Sequence, residues 1–227
     1  MSISLDFTPV IERWPMLVSG AWLTLKLSTL ATVTGFVTGT FCAIAARGKQ
    51  PILRYASNFY IEMIRNTPLL VQLFLFYFGF SSVGFSLPVF VVVLIALTFN
   101  VGAYTAEIMR AGFDSIPKGQ LEAAECLGLP PPQIYWHVML RPAMERVYPA
   151  LTGQFVLMML FSSLTSQVSA EDLTAAANYI QSETYRPFET YLVIAVVYLV
   201  LSLVMRFGFW LLGLALFRRR RLLGTPL

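Results

Sequence analysis

Few residues of this chain are equipped to make or break bonds. His137 is the only histidine, and it sits in a polar stretch with no acid or nucleophile at useful spacing. There is no H-E-x-x-H, no G-x-S-x-G and no G-x-x-x-x-G-K-[ST]; Gly48-Lys49 is followed by Gln50 and lacks the upstream glycine. Cys42 lies in an apolar run and Cys126 in a polar one, so the pair is expected at different depths and unbridged, and neither belongs to a metal-ligand spacing. No catalytic residue and no metal ligand is therefore assigned. What remains is the chemistry of recognition. Glu122-Ala123-Ala124 with Gly128 puts a charge, a narrow small-residue surface and a helix stop within seven positions. Gln72, Asn100, Ser162, Ser163 and Ser166 are uncharged polar groups inside apolar runs. They can exchange hydrogen bonds with a small polar solute without holding it too tightly to release it. Taken singly, each also reads as interhelical glue.

The elements that must position these residues are membrane helices. Of 227 residues, 57% are hydrophobic and 12% charged, against about 25% charged in soluble domains. Runs such as LPVFVVVLIALTF do not alternate as barrel strands do. A bilayer core of about 30 Å needs about 20 helical residues, and the apolar runs predict five spans, at 16–46, 58–80, 87–110, 148–168 and 190–217. The expected fold is all-α, a single membrane domain over 1–227. The formal charge of +4 does not indicate nucleic acid, because the basic residues flank apolar runs. Arg218-Arg219-Arg220-Arg221 reads as a stop and headgroup anchor.

Lys and Arg set the orientation. Arg47, Lys49 and Arg54 fall in the first connection, and Arg110, Lys118, Arg141 and Arg146 in or beside the third. The second connection is uncharged and the fourth is acidic. This predicts an outside N-terminus and a cytoplasmic C-terminus. Residues 2–14 carry Asp6 and Glu12 rather than a basic leader, so no cleaved signal is expected.

Residues 113–146 form a cytoplasmic island. Ser115 is the expected N-cap of a short helix with Pro117 in its first turn, Gly128 its C′ residue, and Pro130-Pro131-Pro132 its stop. A second short helix is expected near 133–144. The first helix either docks on a partner or lies on the headgroups; spacing alone leaves both open. Within the spans, Glu62 with Arg65 and Glu107 with Arg110 are three apart and are expected to pair as structural charges, since an ionisable group at mid-span costs about 2.5–3.5 kcal/mol on insertion scales. Thr67-Pro68 predicts a bent second span, with a freed carbonyl and a hinge that could gate. Gly35 and Gly39 allow close helix approach, either within the chain or to another subunit.

These motifs resemble one family. Glu122-Ala123-Ala124, Gly128 four residues on and Pro142 beyond look like the EAA loop of binding-protein-dependent ABC importers. The stretch from Arg65 to Phe74, RNTPLLVQLF, and the stretches YTAEIMRAG and SIPKGQ around Glu107 and Pro117 resemble the polar amino-acid permeases of histidine type. The resemblance covers nearly the whole chain. It implies a type I importer permease in a bacterial inner membrane, translocating a polar amino acid or related solute. It also implies a cytoplasmic ATPase carrying ATP and Mg and docked at Glu122, Ala123, Ala124 and Gly128, a second permease subunit, and an extracytoplasmic solute-binding protein. No cofactor is expected in this chain. Two departures stand out: Arg141 separates Leu140 from Pro142, and Leu160 and Phe161 replace a Lys-Asp pair of many relatives before Ser162-Ser163-Leu164. The alternative is an ion-coupled carrier without an ATPase, kept open by Glu62 and Glu107.

Overall fold

The computed structural model of the chain describes residues 5–217; the four-arginine run lies outside the described residues. Among those described, four helical runs are long and apolar enough to cross a bilayer: α2 (Trp14–Arg47), α5 (Val89–Asp114), a run over Pro131–Val168, and α10 (Pro187–Leu216). A short α1 (Thr8–Ile11) precedes them.

The second predicted span is two helices, not one bent helix. α3 (Pro51–Arg65) ends before Asn66, and α4 (Leu69–Ser82) starts after Pro68. Fourteen residues give α4 about 21 Å, short of the bilayer core, so it completes a crossing only together with its neighbours. The apolar pattern runs through both helices, which is why 58–80 reads as continuous. Pro68, extended at φ −63° and ψ 139°, ends one helix and caps the next.

α2 lies along α5. Gly35 and Gly39 make that contact. A Cβ on Gly39 would stand 2.7 Å from the Thr105 Cβ and 3.0 Å from the Ala106 nitrogen, and one on Gly35 would run into the Val101 side chain. The small-residue pattern therefore serves a contact within the chain. The Thr34 and Thr98 hydroxyls, 2.7 Å apart, bond across it, and the Tyr60 hydroxyl donates to the Phe99 carbonyl at 2.6 Å.

The fourth span is longer than expected. A three-residue α7 (Pro131–Gln133) passes through a π-helical turn, Ile134–Leu140, into α8 (Arg141–Phe161) and a 3-10 stretch, Ser162–Val168. The expected short helix at 133–144 is thus the beginning of this run. Wide π turns accommodate a helix whose i→i−4 ladder is interrupted, and here the turn precedes Pro142, which has no N–H to give. The fourth connection holds an unpredicted helix, α9 (Leu173–Thr184). Leu173, Ala177 and Ile180 are fully buried in a cluster with Leu17 and Ile194. Asp172 caps it, its carboxylate accepting from the Ala175 N–H at 2.8 Å.

Contacts sort the connections to two ends. Arg47 pairs with Asp114, and Arg146 donates to the Ser115 carbonyl, so the basic first and third connections share one end. At the other, Arg186 pairs with Glu189 at 3.0 Å and Asp6 at 3.7 Å, and Arg13 with Glu183 at 3.7 Å.

Burial pushes the Asp172 carboxyl up to about 7, against the opposing pull of the Ala175 N–H. An unfolded Asp releases its proton near 4, so between about 4 and 7 the folded chain holds the extra proton. The stability this group contributes is complete below about pH 4 and is lost as pH rises through about 7. Melting curves of the solubilised protein across that range should show the loss, and Asp172→Asn should remove this slope.

Candidate functional site

Two features have the shape of sites: an exposed helix at the basic end, and a cavity where α3 breaks into α4.

The helix is α6, Lys118–Cys126. Its N-cap is Pro117, not Ser115. Ser115 closes α5 instead, its hydroxyl donating to the Gly112 carbonyl at 2.6 Å. The reason is steric: a proline disfavours helical backbone at the residue before it, so Ile116 cannot join the helix and α6 begins after Pro117. The other end follows expectation. Gly128 has φ +71°; its N–H reaches the Glu125 carbonyl at 2.9 Å, and the Leu129 N–H reaches Ala124 at 3.2 Å. That crossed pair is the Schellman closure, which needs the left-handed conformation glycine adopts without strain.

The two alanines separate. Ala124 is buried at 5% exposure on the side where α6 meets the π turn, while Ala123 faces out beside Glu122, Glu125 and Cys126. The expected small-residue face is thus split in this structure, Ala123 exposed and Ala124 buried against the rest of the chain. Leu127, 79% exposed, joins the outward surface. The sequence signal for it is an apolar residue just before a C′ glycine in a polar island.

The cavity holds about 400 Å³, and its walls include Arg65, Thr67, Pro68, Asn100, Tyr104 and Phe161. The break is pinned, not loose. The Thr67 hydroxyl donates to the Met63 carbonyl at 2.9 Å and the Asn66 amide to Glu62 at 2.8 Å. The Gln72 amide nitrogen donates to the Ile64 carbonyl at 2.8 Å and the Thr67 carbonyl at 3.0 Å, while its oxygen accepts from Asn100 at 2.9 Å. Irregular backbone at membrane depth needs such internal partners. Replacing Gln72 by leucine strands those groups, and unsatisfied buried partners cost about 1–3 kcal/mol. A thermal melt of the solubilised protein should shift down accordingly, and an unchanged midpoint would contradict the bracing role.

Of the five residues read as a solute path, only Asn100 lines this cavity. Gln72 is buried behind it at 3% exposure. Ser162, fully buried, donates to the Met159 carbonyl at 2.7 Å, and Ser166 to the Ser163 carbonyl at 2.9 Å. These hydroxyls close their own helical turns; Ser163 is half-buried. Tyr104 and Phe161 line the cavity as well; the sequence signals are Tyr104 one turn from Asn100 and Phe161 at a departure from relatives.

The charge pairs re-sort. Arg110 meets Glu107 at 2.7 Å as the spacing suggests. Arg65 does not pair with Glu62. It crosses to Glu107 at 3.3 Å and lies over the Tyr104 ring at 5.8 Å. An exposed i,i+3 pair gains only a few tenths of a kcal/mol, whereas the Glu107 side chain, 27% exposed, benefits more from a second cation. Glu62 stays on the exposed side of α3. The resulting Arg65–Glu107–Arg110 cluster carries one net positive charge at the cavity's edge.

Residues 35–214 match the family described as binding-protein-dependent transport system inner membrane component. The chain is 36% identical over 205 residues to a protein of Rickettsia conorii named as a glutamine transport system permease, covering 88% of this chain and 94% of that one. It is 35% identical over 208 residues to a protein of Bacillus subtilis named as a glutamine ABC transporter permease, covering 92% and 94%. A solved amino-acid ABC transporter with histidines superposes with a TM-score of 0.84 at 37% identity, covering 93% of this chain and 99% of that chain.

Proposed function

The chain belongs to the inner membrane components of binding-protein-dependent transport systems, and from that premise we propose that it passes a polar amino acid or related solute through the cavity at the α3–α4 break. As a permease subunit of an ABC importer it is a transport component, with ATPase activity in a separate subunit and an ATPase and a solute-binding protein as partners. The ion-coupled alternative is set aside by this membership. Glu107, one of its two candidate carboxylates, is held between two arginines.

The observation that carries the coupling role is α6 itself. It is seated on the π turn by buried Ala124 and half-buried Leu121, with Glu122, Ala123 and Leu127 turned outward and a Gly128 closure. A short helix of this form fits a cleft on an ATPase, with Glu122 fixing register at the rim. A second permease subunit, identical or homologous, completes the pathway. ATP and Mg act in the partner and must favour one of two permease states differentially. Asn100, with Thr67 and Pro68 at the pinned break, contacts the solute. Gln72, Ser162, Ser163 and Ser166 support that wall, and Glu62, Arg65, Glu107 and Arg110 are structural charges.

Reconstitution tests this reading. Liposomes holding the permease, its ATPase and the binding protein should take up glutamine or a related amino acid only with ATP. Equal uptake without the ATPase would overturn it. By the distribution of Lys and Arg, the reading puts the basic end in the cytoplasm. A cysteine at Ser82 should react with an impermeant label from outside and one at Lys118 only from inside; the reverse pattern would invert the orientation.

A further inference from the structure

Arg206 stands inside α10, ten residues before that helix ends at Leu216, about 15 Å along the axis. Apolar residues run on both sides of it. Among the described residues it has neither an ion pair nor a hydrogen bond. A cation at this depth in a span requires an anion or a route for its head group towards the interface.

The surroundings of Arg206 are a groove between α8 and α10 of about 330 Å³, lined by Tyr148, Pro149, Thr152 and Gly153 on one side and Arg206 and Trp210 on the other. No acidic residue lines it. The Tyr148 hydroxyl is already committed, donating to the Phe209 carbonyl at 2.6 Å, and the Thr152 hydroxyl donates to the Pro149 carbonyl at 2.9 Å. The guanidinium is therefore the groove's uncommitted charged donor. Trp210 lies one turn further along the same face, lines the groove and stacks on Phe207. At Gly153 a Cβ would meet nothing within 4 Å, so the floor is open. On the other side of Arg206, Leu199 and Leu203 continue the same helical face and are 58% and 56% exposed. The groove thus joins one positive charge to an apolar track.

We propose that the α8–α10 groove binds an anionic phospholipid, with its phosphate on the Arg206 guanidinium, its polar headgroup beside Trp210, and its glycerol esters and an acyl chain running from Arg206 along Leu203 and Leu199. A cationic pocket between membrane helices near the basic end suits a lipid headgroup. The apolar track favours a lipid over free phosphate, because inorganic phosphate has nothing to lay along it.

Native mass spectrometry of the whole permease–ATPase complex tests this. The complex is released from membranes containing equal phosphatidylglycerol and phosphatidylcholine, with millimolar inorganic phosphate in one arm. Wild type should retain phosphatidylglycerol over phosphatidylcholine by about five-fold. Arg206→Gln should bring the two lipids level, and Arg206→Lys should keep most of the preference. Gly153→Leu fills the groove without touching the cation and should also lower retention. Undiminished preference in Arg206→Gln would overturn the proposal. So would a phosphate adduct in place of lipid, or a disulfide between two copies carrying Arg206→Cys, which would show that a second copy covers this face.

Discussion

Valine at Gly128 is expected to lower ATP-driven uptake by the assembled importer about ten-fold while leaving the chain inserted. Gly128 holds φ at +71°, and both hydrogen bonds that close α6 depend on that conformation. A side chain costs about 1–2 kcal/mol in left-handed backbone, more for a β-branched one, and 1.4 kcal/mol is a factor of ten in population. The strain has no steric relief elsewhere to relieve, because nothing lies within 4 Å of a Cβ built there; the effect is conformational. If the closure opens, Leu127 and Glu122 leave the positions they hold relative to buried Ala124. Uptake and ATP hydrolysis should be measured side by side. Hydrolysis that persists while uptake falls identifies lost coupling. Gly119, also in α6 with open space around it but without a positive φ, is the control: Gly119→Ala should transport normally. Normal coupled uptake by Gly128→Val would remove the closure from the mechanism.

Leucine at Gly39 should have the larger effect on the chain itself. Its Cβ would meet Thr105 at 2.7 Å and the Ala106 backbone nitrogen at 3.0 Å. Backbone cannot rotate aside as a side chain can, so α2 and α5 must separate along their shared contact. Overpacking typically costs 1–3 kcal/mol, which corresponds to a fall in melting temperature of about 6–12 °C at the upper end for a chain of this size. Leucine adds three further carbons, so the yield of monodisperse protein should fall as well. Gly79 faces open space, and Gly79→Leu should match wild type. Equal melting of both variants would mean that the close approach of α2 to α5 carries little of the stability.

Four long spans and the shorter apolar helix α4 were legible because each rests on an apolar run that water would not tolerate. What the sequence concealed was where tertiary partners decide. Thr67-Pro68 announces an interruption, but only Gln72 reaching back to Ile64 makes a clean break stable there. Glu62 and Arg65 have correct spacing for each other, and spacing contains no sign that Glu107 on another helix outbids Glu62. The glycines at 35 and 39 declare a close approach without naming its partner. Ala123 and Ala124 look equivalent until the π turn covers one of them. α9 is hidden in the sequence for a different reason. Leu173, Ala176, Ala177 and Ile180 follow the i, i+3, i+4, i+7 rule behind an Asp172 cap, but alanines give a weak apolar signal and acidic residues flank them.

The run from Pro131 to Val168 has a mechanical consequence. This helical run, π at Ile134–Leu140, α through Phe161 and 3-10 to Val168, meets α6 at its π turn and sets Phe161 against the cavity at the α3–α4 break. On the proposed reading, a push on α6 reaches the cavity wall along one helical run, with no loop between, and Pro149 inside α8 is the point on the way where the helix lacks a backbone hydrogen bond. The π turn at one end and Pro149 within are the two places where such a stroke would be tuned.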